Sequence, residues 1–339
     1  MIRNPSVLWF QPKRATEALT VDDVPTGTGG SQLETGHEDR RYWGSVYVTL
    51  DHDGSLVAAN AVPEDKLLAG LVPAEMYPDA PPAALEAQAI AARTELLQKI
   101  GRRNLTDPFL LCSTQQCQVY AGAGKEDART TRAVDHTRGM VLLRDGGGLV
   151  DIRYSASCGG HTEDNDAIWG GDPDPSLRGR ADTPGGDASR VSDLDAFLAE
   201  DPKAAWCGHA KGKFRWTETI AETELTARVA AEYPDVGRVQ ALAAKQRGVS
   251  GRILTLAITG DRGTVDVTGD VHIRRLLGGL KSTLFSISKD GDTFVFHGAG
   301  FGHGVGMCQA GAIGMAEAGK THVEILKQYY RGTHLHRLY

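Results

Sequence analysis

Residues 298–316, GAGFGHGVGMCQAGAIGMA, crowd glycines around one histidine, His303, and one glutamine, Gln309. A chain carries glycine at that density where the backbone must turn tightly or where something must approach it closely. From Gln309 to Ala318 the residues become good helix formers, and Gly319 with Lys320 closes the run as a C-terminal cap would. The segment therefore predicts a glycine loop feeding a helix. Such a junction sets backbone N–H groups and the positive end of a helix dipole beside an imidazole, which suits an oxygen-rich ligand. A histidine between glycines could equally serve a neighbouring turn. Two nucleotide readings fall away: no Lys-Ser or Lys-Thr follows the last glycine as in a P-loop, and no strand and ribose-binding acid complete a Rossmann unit.

The wider composition fits a turn-rich folded chain, with 41 glycines in 339 residues and 41% hydrophobic against 24% charged residues. A net charge of −6 without a basic block speaks against nucleic-acid binding. No apolar run reaches the length of a membrane span. The start, MIRNPSVLWFQPKR, lacks the apolar region of a secretory signal, so either the protein is cytoplasmic or its export segment is not in this sequence.

Element patterns place an N-terminal arm at 1–41, a core at 42–170 and 251–339, and an inserted helical subdomain at 171–250. Two alternating runs in 42–60 meet at Asp53-Gly54, a hairpin signal. Leu85, Ala89, Ala92, Leu96 and Ile100 fall at helical spacing, opened by Pro81 and Pro82 and ended by Gly101. A polar helix over 125–138 closes at Gly139, followed by a hairpin of MVLLR with LVDIRYSAS. Within the insertion, helices are predicted near 192–200, with Ser192 and Asp195 as a capping box, and near 219–232. Strands are predicted at 252–259, 263–268, 282–288 and 292–297, the last two joined at Asp290-Gly291, and a helix at 321–331. The predicted class is α+β: a mixed, β-rich core with several packed helices and an inserted subdomain forming a substrate groove.

Glu75 stands among Leu71, Val72, Pro73, Met76 and Tyr77. Apolar surroundings disfavour the charged carboxylate, the condition a general acid needs, but an acid near a helix start can also simply complement its dipole. Five cysteines allow two readings. Cys112 with Cys117 and Cys158 with Cys207 could form disulfides, leaving Cys308 over; alternatively Cys158, His161, Cys207 and His209 could bind zinc. Ser157 lacks the G-x-S-x-G elbow of a serine nucleophile.

Four segments carry a family likeness: EMYPDAPPAALEAQAIAARTELL; CQVYAG; AVDHTRGMVL through YSASCGGHTEDNDAIWG; and GFGHGVGMCQAGAIGMA through ILKQYYRGTHL. Together, over about residues 42–170 and 282–336, they resemble the stage II sporulation protein D (SpoIID) and amidase-enhancer family. The sequence departs from the usual pattern at Tyr77, where proline is common, and at Cys308, where serine is frequent. The resemblance implies a lytic transglycosylase that cuts peptidoglycan glycan strands already stripped of stem peptides, with no cofactor required. It implies Glu75 as the catalytic acid and Gln118, Tyr120, Ser155, Ser157, His303 and Gln309 as substrate-groove residues. It also implies an extracytoplasmic location, an amidase as possible partner, and disulfides in preference to zinc. The family's non-catalytic amidase enhancers supply an alternative, and a lysozyme-like hydrolase is a third. The hydrolase would need a second acid such as Asp79 or Glu163.

Overall fold

The computed structural model describes residues 7–25, 36–113 and 120–339. They fall into two compact units, one of Met1–Ile152 with His334–Tyr339, the other of Arg153–Thr333. The fold is mixed α+β, as the sequence predicts. Among the described residues no helix is long and apolar enough to cross a membrane.

The first unit opens with β1 (Val7–Phe10), the antiparallel pair β2 (Leu19–Pro25) and β3 (His37–Tyr42), and the hairpin β4 (Ser45–Leu50) and β5 (Leu56–Ala61). Part of the expected N-terminal arm is thus a sheet edge, because β1 pairs with β4. Next come α1 (Glu64–Glu75), α2 (Pro82–Lys99), α3 (Ala128–His136) and β6 (Met140–Arg144). β6 closes a short hairpin with the expected partner, through the Leu143–Leu149 bridge and the bonds of Arg144 N to Gly148 O and Val150 N to Leu142 O, but its ladder is with the C-terminal strand Thr333–Arg337.

Leu68, Leu71 and Val72 of α1 pack with Ala89 and Ala92 of α2 and Val134 of α3 in one apolar cluster. The small side chains of α2 let its neighbours approach on several faces, so the helix is buried nearly all round, with exposed residues only at its two ends, Pro82 and Ile100. That burial takes in Arg93, whose guanidinium donates to the carbonyls of Thr137 at 2.8 Å, Val134 and Met140 and pairs with Glu64. A buried charge survives only with such partners.

The second unit contains β7 (Tyr154–Ser155), α4 (Asn165–Trp169), α5 (Leu194–Leu198), β8 (Arg215–Ala221), α6 (Glu222–Glu232) and β9 (Val239–Arg247). It continues through β10 (Ile253–Gly260), β11 (Thr264–Thr268), α7 (Asp270–Leu276), β12 (Phe285–Asp290), β13 (Thr293–Ala299), β14 (Met307–Cys308), α8 (Gln309–Glu317) and α9 (His322–Tyr329). Two sheets, ordered β11-β10-β9 and β12-β13-β8, share a core that includes Leu225, Leu256, Ile258, Phe285, Phe294 and Phe296.

Residues 171–250 therefore do more than form helices: β8 pairs with β13 and β9 with β10. The strands went unpredicted because their exposed faces carry Thr, Glu, Gln and Lys, which dilute the apolar alternation. The cap of α5 is Asp193, accepting from the Ala196 N–H at 3.0 Å, in place of the expected Ser192–Asp195 box.

Candidate functional site

Glu75 is the last residue of α1, half-buried, and followed by buried Met76. Six residues, 76–81, lie between it and the start of α2 at Pro82. It therefore sits at a C-terminal helix end, where the dipole opposes a negative charge. Glu64 and Asp65 already occupy the first turn of α1, where acids are favourable. Helix electrostatics gives no reason for an acid at 75. The helix reaches that point because Leu68, Leu71 and Val72 anchor it in the apolar cluster.

Gln118 and Cys117 lie outside the described residues, and with Cys117 the expected Cys112 pairing. Tyr120, 7% exposed, donates its hydroxyl to Asn60 Oδ1 at 3.3 Å and packs on Gly70 of α1, where a Cβ would come within 3.0 Å of its ring. Burial pushes its hydroxyl pKa up, so it stays protonated. Its placement makes it a support beneath the helix that carries Glu75.

The second unit brings Ser155, Ser157, His303 and Gln309 into one neighbourhood. β7 and β14 pair in parallel, setting Ser155 beside Cys308, while Ser157 and Phe301 exchange backbone hydrogen bonds of 3.1 and 2.8 Å. Ser157 is fully buried and its hydroxyl accepts the Gly159 N–H at 3.3 Å. Ser155 Oγ is buried beside Gly302 without a hydrogen-bond partner among the described residues. Gln309 begins α8 and is half-buried.

His303 accepts the Val305 N–H on Nδ1 at 3.0 Å, so its neutral ring carries the proton on Nε2. Some ring surface stays open, yet desolvation by its neighbours pushes the pKa down to about 4; Arg252, Arg153 and Arg274 add to the fall and Asp270 opposes it. His303 is thus a neutral donor near pH 7. Its ring meets the edge of Trp169 at 4.8 Å, and the Arg153 guanidinium lies 5.0 Å from the same indole.

Trp169, 52% exposed, is the residue that sequence reasoning missed here. It ends α4, whose turn is held by Arg178 bridging Asp164 and Asp166. The signal was available in the DAIWG stretch of the family-like segment, but only the fold sets that indole beside His303. An exposed aromatic face flanked by a neutral donor and a guanidinium has the surface chemistry for a hydroxyl-rich ligand.

The expected oxygen-ligand site at the start of α8 is corrected by the structure. Cys308 caps the helix: its sulfur accepts from Gly311 N at 3.2 Å, and the Ala310 N–H goes to Ala156 O. The positive helix end serves a thiol, not a ligand of His303. The expected disulfide is corrected too, since Cys158 and Cys207 are free thiols with sulfurs 3.7 Å apart. Neither histidine of the alternative zinc set joins them. Both ring nitrogens of His161 face backbone carbonyls, of Thr162 at 2.7 Å and Ala188 at 3.0 Å, and exposed His209 turns its Nδ1 to Trp206 O.

The chain is a mixed α+β protein with an acid at the end of a helix in its first unit and, in its second, an indole–imidazole–guanidinium cluster. The family described as Stage II sporulation protein matches residues 52–143, and a domain of unknown function matches residues 163–306. An uncharacterized protein of Brachyspira hyodysenteriae is 30% identical over 292 residues, 86% of this chain and 71% of the relative. The Amidase enhancer of Bacillus subtilis is 30% identical over 291 residues, 79% of this chain but 40% of that protein. Stage II sporulation protein D of Bacillus amyloliquefaciens is 28% identical over 301 residues, 85% of this chain and 76% of the relative. The chain belongs to the stage II sporulation protein D family.

Proposed function

We propose that the protein acts on the cell wall as a lytic transglycosylase, cutting peptide-free peptidoglycan strands between N-acetylmuramic acid and N-acetylglucosamine. The observation that carries this reading is Glu75: an acid inside the family-matched stretch, at the end of an apolar helix where helix electrostatics disfavours it.

In the proposed reaction the Glu75 carboxyl protonates the glycosidic oxygen as the bond to C1 of the muramic residue breaks. N-acetylglucosamine leaves with that proton as its 4-hydroxyl. The Glu75 carboxylate then takes the proton of the muramic C6 hydroxyl while O6 bonds to C1, giving the 1,6-anhydro sugar and restoring the acid. An internal nucleophile gains from proximity, so one carboxyl suffices and no water is consumed. Trp169 offers a stacking face, and the His303 Nε2–H donates to a sugar oxygen. The implied location is extracytoplasmic, and an amidase that strips stem peptides would supply the substrate.

Burial of Glu163 argues against a lysozyme-like hydrolase that relies on it, because that carboxylate is fully engaged by backbone and Ser250 donors. A non-catalytic amidase enhancer is the second reading, favoured by the printed name of the Bacillus subtilis relative. Peptide-free glycan strands digested with wild type and Glu75→Gln, with products weighed by mass spectrometry, test the proposal. It predicts anhydromuramyl ends from wild type and none from the variant. Products with reducing ends point to hydrolysis, and amidase stimulation by wild type without cleavage points to the enhancer.

A further inference from the structure

Cys158, Cys207, Cys308 and Asp182 converge in the second unit, each essentially without solvent exposure, with one ligand atom apiece all within 4.8 Å of one another. We infer that these four groups hold a structural zinc ion, in a site made of three thiolates and one carboxylate.

The distances fit a tetrahedron around zinc. With Zn–S about 2.3 Å and Zn–O about 2.0 Å, its edges are about 3.8 Å between sulfurs and about 3.5 Å from sulfur to oxygen. The Cys158 and Cys207 sulfurs are 3.7 Å apart, and Cys158 Sγ lies 3.2 Å from Asp182 Oδ2. A disulfide would need the sulfurs near 2 Å, roughly half that separation. An iron–sulfur cluster would need room for its own sulfides, which ligand atoms this close do not leave.

The surroundings are arranged as an outer shell around a metal would be. Tyr329 donates its hydroxyl to Asp182 Oδ1 at 2.8 Å, fixing the carboxylate and leaving Oδ2 turned to the sulfurs. The Cys158 and Gly311 N–H groups both donate to Cys308 Sγ, at 3.1 and 3.2 Å, as backbone amides do to a thiolate. Arg215 donates to Gly159 O at 2.8 Å, one residue from Cys158, and brings positive charge toward an anionic set. Gly311 has to lack a side chain, since a Cβ there would stand 2.1 Å from the Tyr329 hydroxyl and 2.7 Å from Asp182 Oδ2.

The four ligands come from four separated stretches: the turn after β7, the loop at 182, the turn at 207, and the cap of α8. No two are near neighbours in sequence, so no spacing motif announces them. Soft thiolates in a small tetrahedral site select zinc, and four protein ligands leave no open position, so the ion would staple the unit without entering catalysis.

Full-length protein purified under reducing, chelator-free conditions tests this by elemental analysis. One zinc per chain is expected, with release tracking thiol modification by an organomercurial. Replacement of the zinc by Co(II) should give the intense visible bands of a tetrahedral thiolate site. Stripping the metal from wild type should lower the melting midpoint by about 10 °C or more. Cys308→Ser and Asp182→Asn should lose most of the zinc, whereas His209→Ala should keep it. Metal-free wild type carrying a Cys158–Cys207 disulfide overturns the inference, as does wild type holding iron or His209→Ala losing its zinc. The wild-type measurements decide the matter even if a ligand variant does not fold.

Discussion

The carboxylate of Glu163 accepts the Ser250 hydroxyl at 2.6 Å and the N–H groups of Val249 and Ser250 at 3.0 and 3.1 Å, inside a fully buried setting. It knots the turn before α4 to the β9–β10 connection. Glu163→Gln replaces one accepting oxygen with a donor facing donors, so a loss of about 2–4 kcal/mol in denaturant unfolding is expected. The product spectrum of the folded fraction should not change. A switch away from anhydro ends would return Glu163 to the chemistry.

Glu75→Gln should do the reverse. Activity should fall by about 10²–10⁴-fold on losing a general acid. Stability should stay level or rise by about 0.3–1 kcal/mol, because the variant removes a charge from the unfavourable end of α1. A thermal melt showing strong destabilisation would mean that Glu75 is a structural residue.

His303 links pH to stability with a definite sign. Its folded pKa of about 4 lies below the ordinary 6.5, so the unfolded chain takes up the proton first as pH falls. Its contribution is complete above pH 6.5, declines as pH drops toward 4, and is constant below that. Histidine NMR should find the Nε2–H tautomer unchanged from pH 8 to 5, and His303→Gln should flatten the stability slope in the acid window. A ring titrating near 6.5 contradicts the assignment.

Trp169→Ala should weaken binding of peptide-free glycan strands by about tenfold, the scale of one lost aromatic contact. Its exposed position means the melting midpoint should hardly move. Equal binding by variant and wild type in calorimetry would remove the indole from the site.

Gly311→Ala sets two effects against each other. Alanine favours a helix over glycine by about 1 kcal/mol, but the added carbon would stand 2.1 Å from the Tyr329 hydroxyl. Overpacking of about 1–3 kcal/mol should win, giving net destabilisation by chemical denaturation. A stabilised variant would show that Tyr329 and Asp182 move aside at little cost.

Local signals in the sequence were strong where they were self-contained. Asp53-Gly54 and Asp290-Gly291 mark hairpins that form, and Pro81-Pro82 with Gly101 bracket α2. The capping box of α9 forms through Thr321 and Glu324, three residues apart, within the stretch expected to be helical. Long-range facts were not legible. β6 makes only the first rungs of its expected hairpin and takes the C-terminal strand as its ladder partner, and β8 and β9 leave the supposed insertion to complete sheets. The candidate site divides the same way: Glu75 stands out in the sequence only with the family resemblance beside its apolar neighbours, while Trp169 beside His303 and Asp182 among the cysteines arise from residues over a hundred positions apart or from different loops.

Gly304 sits beside His303, and a carbon added to it would fall 2.3 Å from the centre of the buried Arg252 guanidinium, which in turn donates to Cys158 O and Ser250 Oγ. The loop is therefore shaped from beneath, by a cation in the core, while the exposed Phe301 and half-buried His303 keep surface open on the other side. A side chain at 304 would have to displace that guanidinium, and with it the bonds it makes to Cys158 and Ser250. The shape of the surface around His303 is thus set by a cation that never reaches it.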